Sequence, residues 1–364
     1  IYPEGHQGGV CIIMNGHRVA TNGDIRLEAT PGQWQPVPKQ LDRKLGDNSI
    51  TATLCYPDSS RHLTGFNPMI YPDLHLIYTV NVESKGKNIE VTVDLDRPIP
   101  QEFIGKVGFN LEFFPGSLFG KPWIMDGQSG IFPQQPNSPL MTTQPNYLHT
   151  GNYHDGKKSL ADMDKLIGKG YSPIVADDII SEPYAKGTKF TSRPDDPYNK
   201  VTIESLSGDL QLFDGRMNHN NGWFVLRSNI KPGVTKGAVK WIITPNVVAD
   251  WMYQPVIQTS QIGYHPTQDK EAVIEMDIRD NRKETAQIIR IDADGEKVVK
   301  NVTPANWGKF LRYNYLKVDF TDVKEPGLYK IKYDTSVSPI FRIDNDVYAR
   351  GVWQPVLEYF LPVQ

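Results

Sequence analysis

Residues 74–95 carry the pattern that most limits how this chain can fold. Apolar and polar side chains alternate over 74–83, a Lys-Gly-Lys-Asn sequence follows at 85–88, and the alternation resumes over 89–95. Alternation with a period of two on both sides of a glycine turn is typical of a β-hairpin with one buried face. The chain is therefore expected to contain an antiparallel sheet packed on a core.

Strand-length apolar runs recur through the first 250 residues, separated by Pro, Gly, Asn and Asp. They are Val10–Met14, Ile50–Cys55, Val107–Phe113, Val201–Leu206, Leu210–Phe213, Trp223–Arg227 and Ala238–Ile243. One helix is predicted over 157–169 and one long ordered loop over 113–152, where Pro, Gly, Gln and Asn are frequent. We predict that residues 1–252 form one large β-sandwich.

The spacing of the predicted strands changes near Pro255, after which they are shorter and more evenly spaced. The predicted strands are Ala272–Ile278, Ala286–Ile291, Lys297–Val302, Tyr315–Phe320, Leu328–Tyr333 and Ile340–Ile343. Six strands in about 90 residues fit an immunoglobulin-like sandwich, which we place at 256–344. The fold class is therefore mainly β.

Apolar residues recur every fourth position after Asp346, at Tyr348, Val352, Val356 and Phe360. This spacing predicts a helix over 345–364 with one apolar face, interrupted by Pro355 and closed by a second proline. A face this apolar needs a partner. We expect the sequence to stop at the first helix of a further domain.

Composition excludes some partners. The 39 Lys and Arg against 42 Asp and Glu give a net charge of −3, which favours neither nucleic acid nor an anionic membrane. No apolar run approaches the roughly 20 residues of a transmembrane segment. The only cysteines, Cys11 and Cys55, form one bridge if their strands pair, although two buried free thiols are the favoured interpretation.

Groups of acidic residues and histidines are weighed as metal ligands. Calcium needs six to eight oxygens, which pairs of carboxylates do not guarantee, so ordinary turn or surface roles are favoured. We expect no cofactor and keep calcium as the alternative. The residues concerned are Asp94, Asp96, His149, His154, Asp155, Asp177, Asp178, Asp195 and Asp196.

Four tryptophans lie near Gly, Asn, Gln or Pro, namely Trp34, Trp123, Trp223 and Trp307. A flat exposed indole stacks on the apolar face of a sugar ring, whereas a buried one fills a core. Trp34 and Trp123 are predicted to be exposed and to bind substrate. Trp241 and Trp251 are predicted to lie in the core or at an interface.

Several short motifs after residue 258 resemble sequence motifs of known protein families. Ser260-Gln-Ile-Gly-Tyr-His-Pro266 resembles the opening strand of the cellulase-type Ig-like domain, and Glu325-Pro-Gly-Leu-Tyr-Lys-Ile331 resembles its Pro-Gly-x-Tyr strand. Ser338–Ile343 resembles its closing strand. Asp346-Val-Tyr348 and the following aromatic helix resemble the start of the catalytic domain of glycoside hydrolase family 9. Residues 1–250 are similar to the additional N-terminal β-domain of some Bacteroidetes-type members.

The resemblance implies a secreted, periplasmic or cell-surface enzyme that cleaves β-1,4-glucan with an (α/α)6 catalytic barrel, in the same protein or as a second chain. Inverting hydrolysis uses two carboxyl groups roughly 6.5–9.5 Å apart. In that family they lie in barrel segments that this sequence does not contain, so no catalytic residue is assigned. The substrate would be a glycan polymer or oligosaccharide.

Two other functions stay open. A stand-alone carbohydrate-binding module would use the same exposed tryptophans without catalysis. A galactose-mutarotase-like supersandwich over 1–250 would need a concave sheet bearing a His and a Glu.

Overall fold

The computed structural model describes residues 8–27, 38–56, 74–136, 140–142, 179–217, 222–349 and 351–360. The chain divides into two compact units, residues 1–249 and residues 250–364. The mainly β prediction is confirmed.

Antiparallel strands build the described part of the first unit, together with one short helix, α1 (Pro115–Leu118). The strands are β1 (Val10–Met14), β2 (His17–Leu27), β3 (Lys39–Leu45), β4 (Ser49–Tyr56), β5 (Leu76–Lys85), β6 (Asn88–Leu95), β7 (Val107–Phe113), β8 (Pro122–Met125), β9 (Gln128–Ile131), β10 (Leu140–Thr142), β11 (Ile179–Ser181), β12 (Ala185–Gly187), β13 (Lys189–Ser192), β14 (Val201–Ser205), β15 (Leu210–Asp214), β16 (Phe224–Asn229) and β17 (Val239–Pro245).

Two large sheets form a sandwich in this unit. One has the order β1-β2-β7-β16-β15-β12, and the other has the order β3-β4-β5-β6-β17-β14-β13-β8-β9. Their facing apolar residues share one core, in which the Phe109 ring meets the Trp241 ring edge-on at 5.1 Å. The sandwich therefore rests on side chains from both sheets.

The predicted hairpin at 74–95 is confirmed as β5 and β6, which pair from Tyr78↔Leu95 to Lys85↔Asn88. Alternate residues of β6 are buried, as the period of two requires. The other predicted strands of the first 250 residues also occur, within one or two residues of their predicted limits.

Strand β2 was not predicted, because its sequence from Ala20 to Leu27 places Thr, Asn, Gly, Asp and Arg among apolar residues. All eight of these positions are buried, so both faces of the strand are covered. Strands are recognised by alternation of apolar and polar residues, which matches a buried face and an exposed face. Strand β2 lacks this pattern because its polar residues are buried as well.

The predicted loop over 113–152 is wrong for residues 122–131. Strands β8 and β9 form a hairpin there, at the edge of the nine-stranded sheet. Its turn is Asp126-Gly127, with a left-handed Asp126 (φ 49°), a conformation that Asp tolerates better than most residues. The Asp126 carboxylate accepts hydrogen bonds from the amides of Thr188 and Lys189 at 2.8 and 3.1 Å. The predicted helix at 157–169 lies outside the described residues.

The second unit is a smaller sandwich of two antiparallel sheets, with orders β18-β19-β23-β22 and β21-β20-β24-β25, and with β26 also paired to β24. Its strands are β18 (Val256–Gln258), β19 (Glu271–Asp277), β20 (Ala286–Asp292), β21 (Gly295–Val302), β22 (Ala305–Phe310), β23 (Tyr313–Asp319), β24 (Gly327–Tyr333), β25 (Ser336–Val337) and β26 (Phe341–Ile343). All six predicted strands are confirmed.

The motif at 260–266 holds this sandwich together. Tyr264 is buried, and its ring packs edge-on against Phe320 and Phe341. Gly263 has a φ of 97°, and an added Cβ would lie 2.4 Å from the Arg342 carbonyl oxygen. Only glycine fits this close approach in this backbone conformation.

The predicted C-terminal helix is shorter than expected. Residues 345–349 form turns, residues 351–353 form bends, and α2 spans Gln354–Phe360. Pro355 lies in the first turn of α2, where its missing N–H has no helical acceptor to lose, so it begins the helix rather than interrupting it. Residues 361–364 lie outside the described part of the chain.

The two cysteines lie in different sheets. Strand β1 pairs with β2, whereas β4 pairs with β3 and β5, so the strands that carry Cys11 and Cys55 do not pair. Neither cysteine is in a disulfide and both are half-buried, and the Cys11 Sγ lies 3.2 Å from the Thr21 hydroxyl. Over the residues that the structure describes, no helix has the length and apolarity needed to cross a bilayer.

Candidate functional site

Four aromatic rings form a continuous row on the outer face of the sheet β18-β19-β23-β22. We call Tyr253, Tyr313, Tyr315 and Trp307 the aromatic strip. Ring centroids lie 5.2 Å apart for Tyr253 and Tyr313, 6.2 Å for Tyr313 and Tyr315, and 5.7 Å for Tyr315 and Trp307. The three tyrosines are half-buried, and Trp307 is 57% exposed.

The strip follows from strand alternation and one bulge. Tyr313 and Tyr315 are alternate residues of β23, while Asn314 and Leu316 between and beside them are buried. The register of β22 against β23 shifts between Asn306 and Gly308, so Trp307 is the extra residue of a β-bulge. Gly308 has a φ of 123°. A bulge re-aims a side chain locally, and here it places the indole beside Tyr315.

Glu275 lies between two rings of the strip and joins them. Its carboxylate accepts a hydrogen bond from the Tyr253 hydroxyl at 3.1 Å and from the Tyr315 hydroxyl at 3.1 Å. Burial, followed by the hydrogen bond to Glu275, raises the pKa of Tyr253 to about 12, and the same causes raise the pKa of Tyr315. Both phenols are therefore held neutral beside an acceptor.

We expect Glu275→Gln to lower the pKa of Tyr253 while leaving it above 10, because burial is the larger cause and persists. A phenol whose pKa is raised on folding adds stability that is complete below about pH 10 and is lost as the pH rises through about 12. Absorbance titration at alkaline pH checks this. Two Tyr253 titrations that coincide in the parent and the variant would contradict the assignment. Tyr348→Phe, which removes an exposed phenol of the same unit, is the control for assigning signals.

Charged residues frame the strip. Lys317 pairs with Glu271 at 2.8 Å, and the Arg312 guanidinium lies 5.5 Å from the Tyr313 ring centroid. Asp277 accepts bonds from the Arg279 side chain and from the Tyr253 amide, and the Arg279 bond is the main cause that lowers the pKa of Asp277 well below its usual range. These contacts fix the backbone that carries Tyr253.

The two tryptophans predicted to bind substrate have different outcomes. Trp34 lies outside the described residues. Trp123 lies on β8 and is 6% exposed, with its ring stacked on Tyr184 at 6.4 Å and in contact with Gly130. Its expected exposure is therefore wrong, while its assignment as a substrate-binding residue stays a prediction.

The other tryptophans divide between core and surface. Trp241 is fully buried, as predicted, and donates a hydrogen bond to the Ser228 hydroxyl at 3.0 Å. Trp223 is half-buried and meets the Phe114 ring edge-on at 4.6 Å. Trp251 is half-buried. Sequence reasoning included Trp307 as a candidate but ranked it below Trp34 and Trp123, and it missed the three tyrosines and Glu275.

The acidic pairs that lie in the described residues have local roles. Asp94 accepts bonds from Lys236 and from the Gly237 amide. Asp196 accepts bonds from Tyr198 and Asn199 within its own turn. Within the described residues, no group of three or more His, Cys, Asp and Glu side chains could hold a metal ion. The candidates at 149, 154, 155, 177 and 178 lie outside them.

Buried charges form a second polar cluster, inside the first unit. Asp24, Arg26 and Glu112 are each 6% exposed or less. Asp24 accepts hydrogen bonds from the Tyr78 hydroxyl at 2.5 Å and the Ile25 amide at 2.8 Å. Burial raises the pKa of Asp24, and Arg26 opposes that rise. Burial alone would lower the pKa of Arg26, but Asp24 and Glu112 raise it.

The second unit is, by its two packed antiparallel sheets and its buried tyrosines, an immunoglobulin-like domain. Its residues 252–338 match the family model described as "Cellulase N-terminal ig-like domain", which confirms the resemblance drawn from the motifs. This part of the second unit is therefore similar to the cellulase N-terminal Ig-like domains.

Two solved structures are similar over a limited part of the chain. A metagenome-derived glycoside hydrolase family 9 endoglucanase is 30% identical, with 24% of this chain and 18% of that chain covered and a TM-score of 0.22. A zinc-binding triple mutant of the family 9 endoglucanase J30 is 27% identical, with 23% and 15% covered and a TM-score of 0.20. This chain thus spans less than a fifth of either enzyme. Curated protein sequences gave no significant match.

Proposed function

We propose that this chain is the non-catalytic N-terminal portion of a secreted, family 9-like glycoside hydrolase. The parent protein hydrolyses a β-1,4-linked glucan by single displacement between two carboxyl groups, which lie on an (α/α)6 barrel in the same protein or a second chain. Residues 1–252 form its large β-sandwich, of the Bacteroidetes type. Residues 256–344 form its Ig-like domain, and 345–364 begin the barrel. The protein acts outside the cytoplasm, in the periplasm, or at the cell surface.

The match of residues 252–338 to the cellulase N-terminal Ig-like domain carries this proposal. The motif positions Gly263 and Tyr264 within the matched range pack inside the sandwich. A domain with these features acts as a scaffold, and the hydrolytic carboxylates belong elsewhere.

The apolar surface of α2 supports the proposal independently. Every described residue of this helix has at least partial exposure, and none is buried. Exposed apolar side chains in and next to it are Trp353 (54%), Val356 (64%), Leu357 (57%), Tyr359 (69%) and Phe360 (60%). Adjacent exposed apolar residues mark an interaction surface. In the proposed protein they pack against the catalytic barrel.

The test compares this chain with the complete product of the gene that encodes it, on a soluble β-1,4-glucan. We expect no reducing sugar from this chain alone, and hydrolysis with inversion at the anomeric carbon from the complete product. Leu357→Asp in the complete product should lower its melting temperature, because it puts a charge on the packed face. Hydrolysis by the chain alone, or a complete product without a barrel, would overturn the proposal.

A stand-alone carbohydrate-binding module is the second candidate, and the aromatic strip favours it. Under this function, the isolated chain binds soluble β-glucan and no hydrolytic domain is encoded with it. Affinity electrophoresis of the chain in gels containing β-glucan measures the binding. The gene sequence shows whether a hydrolytic domain is encoded with it.

A further inference from the structure

We propose that the aromatic strip, together with Glu275, is a glycan-binding surface on the Ig-like domain. In this proposal the surface holds the glycan without hydrolysing it. Four rings and one carboxylate lie on a single sheet face and need no residue from outside the second unit.

The rings supply the apolar half of such a site. Sugar rings have C–H faces that pack on aromatic rings, and aromatic side chains provide large contact areas with little conformational freedom to lose. The strip is continuous over Tyr253, Tyr313, Tyr315 and Trp307, with consecutive centroids 5.2, 6.2 and 5.7 Å apart. The planes of neighbouring rings are inclined by 55°, 66° and 90°, so an extended oligosaccharide meets ring faces and ring edges along the row.

Glu275 and the hydroxyls that it binds supply the polar half. Because Tyr253 and Tyr315 both donate to this carboxylate, their phenol oxygens retain lone pairs for incoming hydroxyl donors. The carboxylate oxygens also retain acceptor capacity. The Trp307 indole N–H, which makes no hydrogen bond within the described part of the chain, is a donor at the end of the row.

The occupant is a glycan rather than an apolar protein face. A protein covering the strip with aliphatic side chains would take the Glu275 carboxylate and two phenol oxygens out of water without new partners, which is costly. Sugar hydroxyls bring donors to those same acceptors while the C–H faces cover the rings. Binding sites that combine apolar walls with a few convergent polar groups suit ligands of this mixed character.

The bulge at Trp307 is the strongest sign that the surface is built for contact. A regular β22 would keep the alternation and would not need a glycine with φ of 123° after the tryptophan. The bulge instead holds a large apolar side chain 57% exposed. Bulges that re-aim a side chain occur next to functional sites.

The choice of a β-1,4-glucan among glycans rests on the proposed function. The test titrates cellohexaose, a β-1,4-linked glucose hexamer, into the whole 364-residue chain by isothermal titration calorimetry. We expect saturable binding that weakens about tenfold or more in Trp307→Ala, because this variant removes the most exposed ring of the strip. Glu275→Gln, which keeps the shape of the side chain, should weaken binding about threefold or more, since a neutral amide is a poorer acceptor than a carboxylate.

Trp353→Ala is the matched control, because Trp353 is 54% exposed in the same unit but lies next to α2. It should bind cellohexaose like the parent chain. Equal weakening in both tryptophan variants, or no heat of binding at millimolar cellohexaose, would overturn the proposal. Melting temperatures identify any variant that fails to fold, and Glu275→Gln then decides the outcome.

Three further results separate this surface from the proposed function. Binding through Trp307 with no hydrolysis by the complete gene product would support the surface and contradict the enzyme. Hydrolysis by the complete gene product, without binding of cellohexaose by this chain, would support the enzyme and contradict the glycan-binding surface. Loss of barrel association in Trp307→Ala, with no sugar bound, would show a protein-docking surface and overturn the glycan assignment.

Discussion

Replacement of Arg26 by methionine is expected to lower the free energy of unfolding of the first unit by about 3–5 kcal/mol. Arg26, Asp24 and Glu112 are all buried, and the Arg26 guanidinium interacts electrostatically with both carboxyl groups. Without it, two buried acids lose the cation that they share. Removing one partner of a buried ion pair costs more than the pair contributes, since the remaining charge stays out of water.

The loss should depend on pH in a defined direction. Burial already raises the pKa of Asp24, and Arg26 opposes that rise, so the pKa climbs further in the variant. A group whose pKa is raised on folding adds stability at pH values below its unfolded pKa, and loses it as the pH rises through the folded value. The deficit of the variant should therefore be smallest at acid pH, where Asp24 is protonated in both proteins, and should grow as the pH rises through the folded-state pKa of Asp24 in the parent.

Urea unfolding followed by a brief hydrogen-exchange pulse measures this, because it reads the strand Val107–Phe113 of the first unit separately from Glu271–Asp277 of the second. Arg97→Met is the matched control. Arg97 pairs with Asp96 at 2.8 Å but is exposed, so its loss should leave unfolding nearly unchanged. A deficit for Arg26→Met that is equal at pH 5 and pH 7 would contradict the role assigned to the buried pair.

The buried cluster of Asp24, Arg26 and Glu112 explains why strand β2 was not predicted from the sequence. Strand β6 was predictable because one face meets the core and the other meets water, so alternation in the sequence matches alternation in burial. Strand β2 has no such contrast, since Asp24 and Arg26 are buried, as Ile25 and Leu27 are. A buried polar network depends on partners from other strands, such as Tyr78 on β5, and no local pattern encodes them.

The candidate site was only partly predictable for a related reason. Composition near a tryptophan does not tell which way its side chain points. Trp123 is buried because it alternates with Ile124 on a hairpin strand, whereas Trp307 is exposed because a bulge displaces it. The Asp126-Gly127 dipeptide could have predicted the hairpin that carries Trp123. The bulge depends on register against β23 and had no comparable signal.

The Gly-Tyr motif was recognisable because only glycine fits at position 263 and because Tyr264 is buried in the core. The variant Tyr264→Ala measures how much this tyrosine stabilises the second unit. We expect this variant to lower the free energy of unfolding of the second unit by about 3–5 kcal/mol, as for other buried aromatic residues truncated to alanine. Two aromatic contacts, with Phe320 and Phe341 at 5.1 and 5.3 Å, are lost. The Tyr264 hydroxyl also donates to the Glu271 carbonyl at 2.9 Å and accepts from the Ser260 amide at 3.0 Å.

Tyr264→Phe separates these two contributions, because it keeps the ring and removes only the hydroxyl. It should cost about 1–2 kcal/mol, the effect of leaving two backbone groups without their partner. Tyr348→Ala serves as the control, since Tyr348 is 44% exposed in the same unit and its hydroxyl donates to the Gln268 side chain rather than to the backbone. Exchange-pulse unfolding of the strand Glu271–Asp277 measures all three variants. If the alanine and phenylalanine variants lost equal stability, the hydroxyl rather than the packed ring would hold the sandwich closed at this motif.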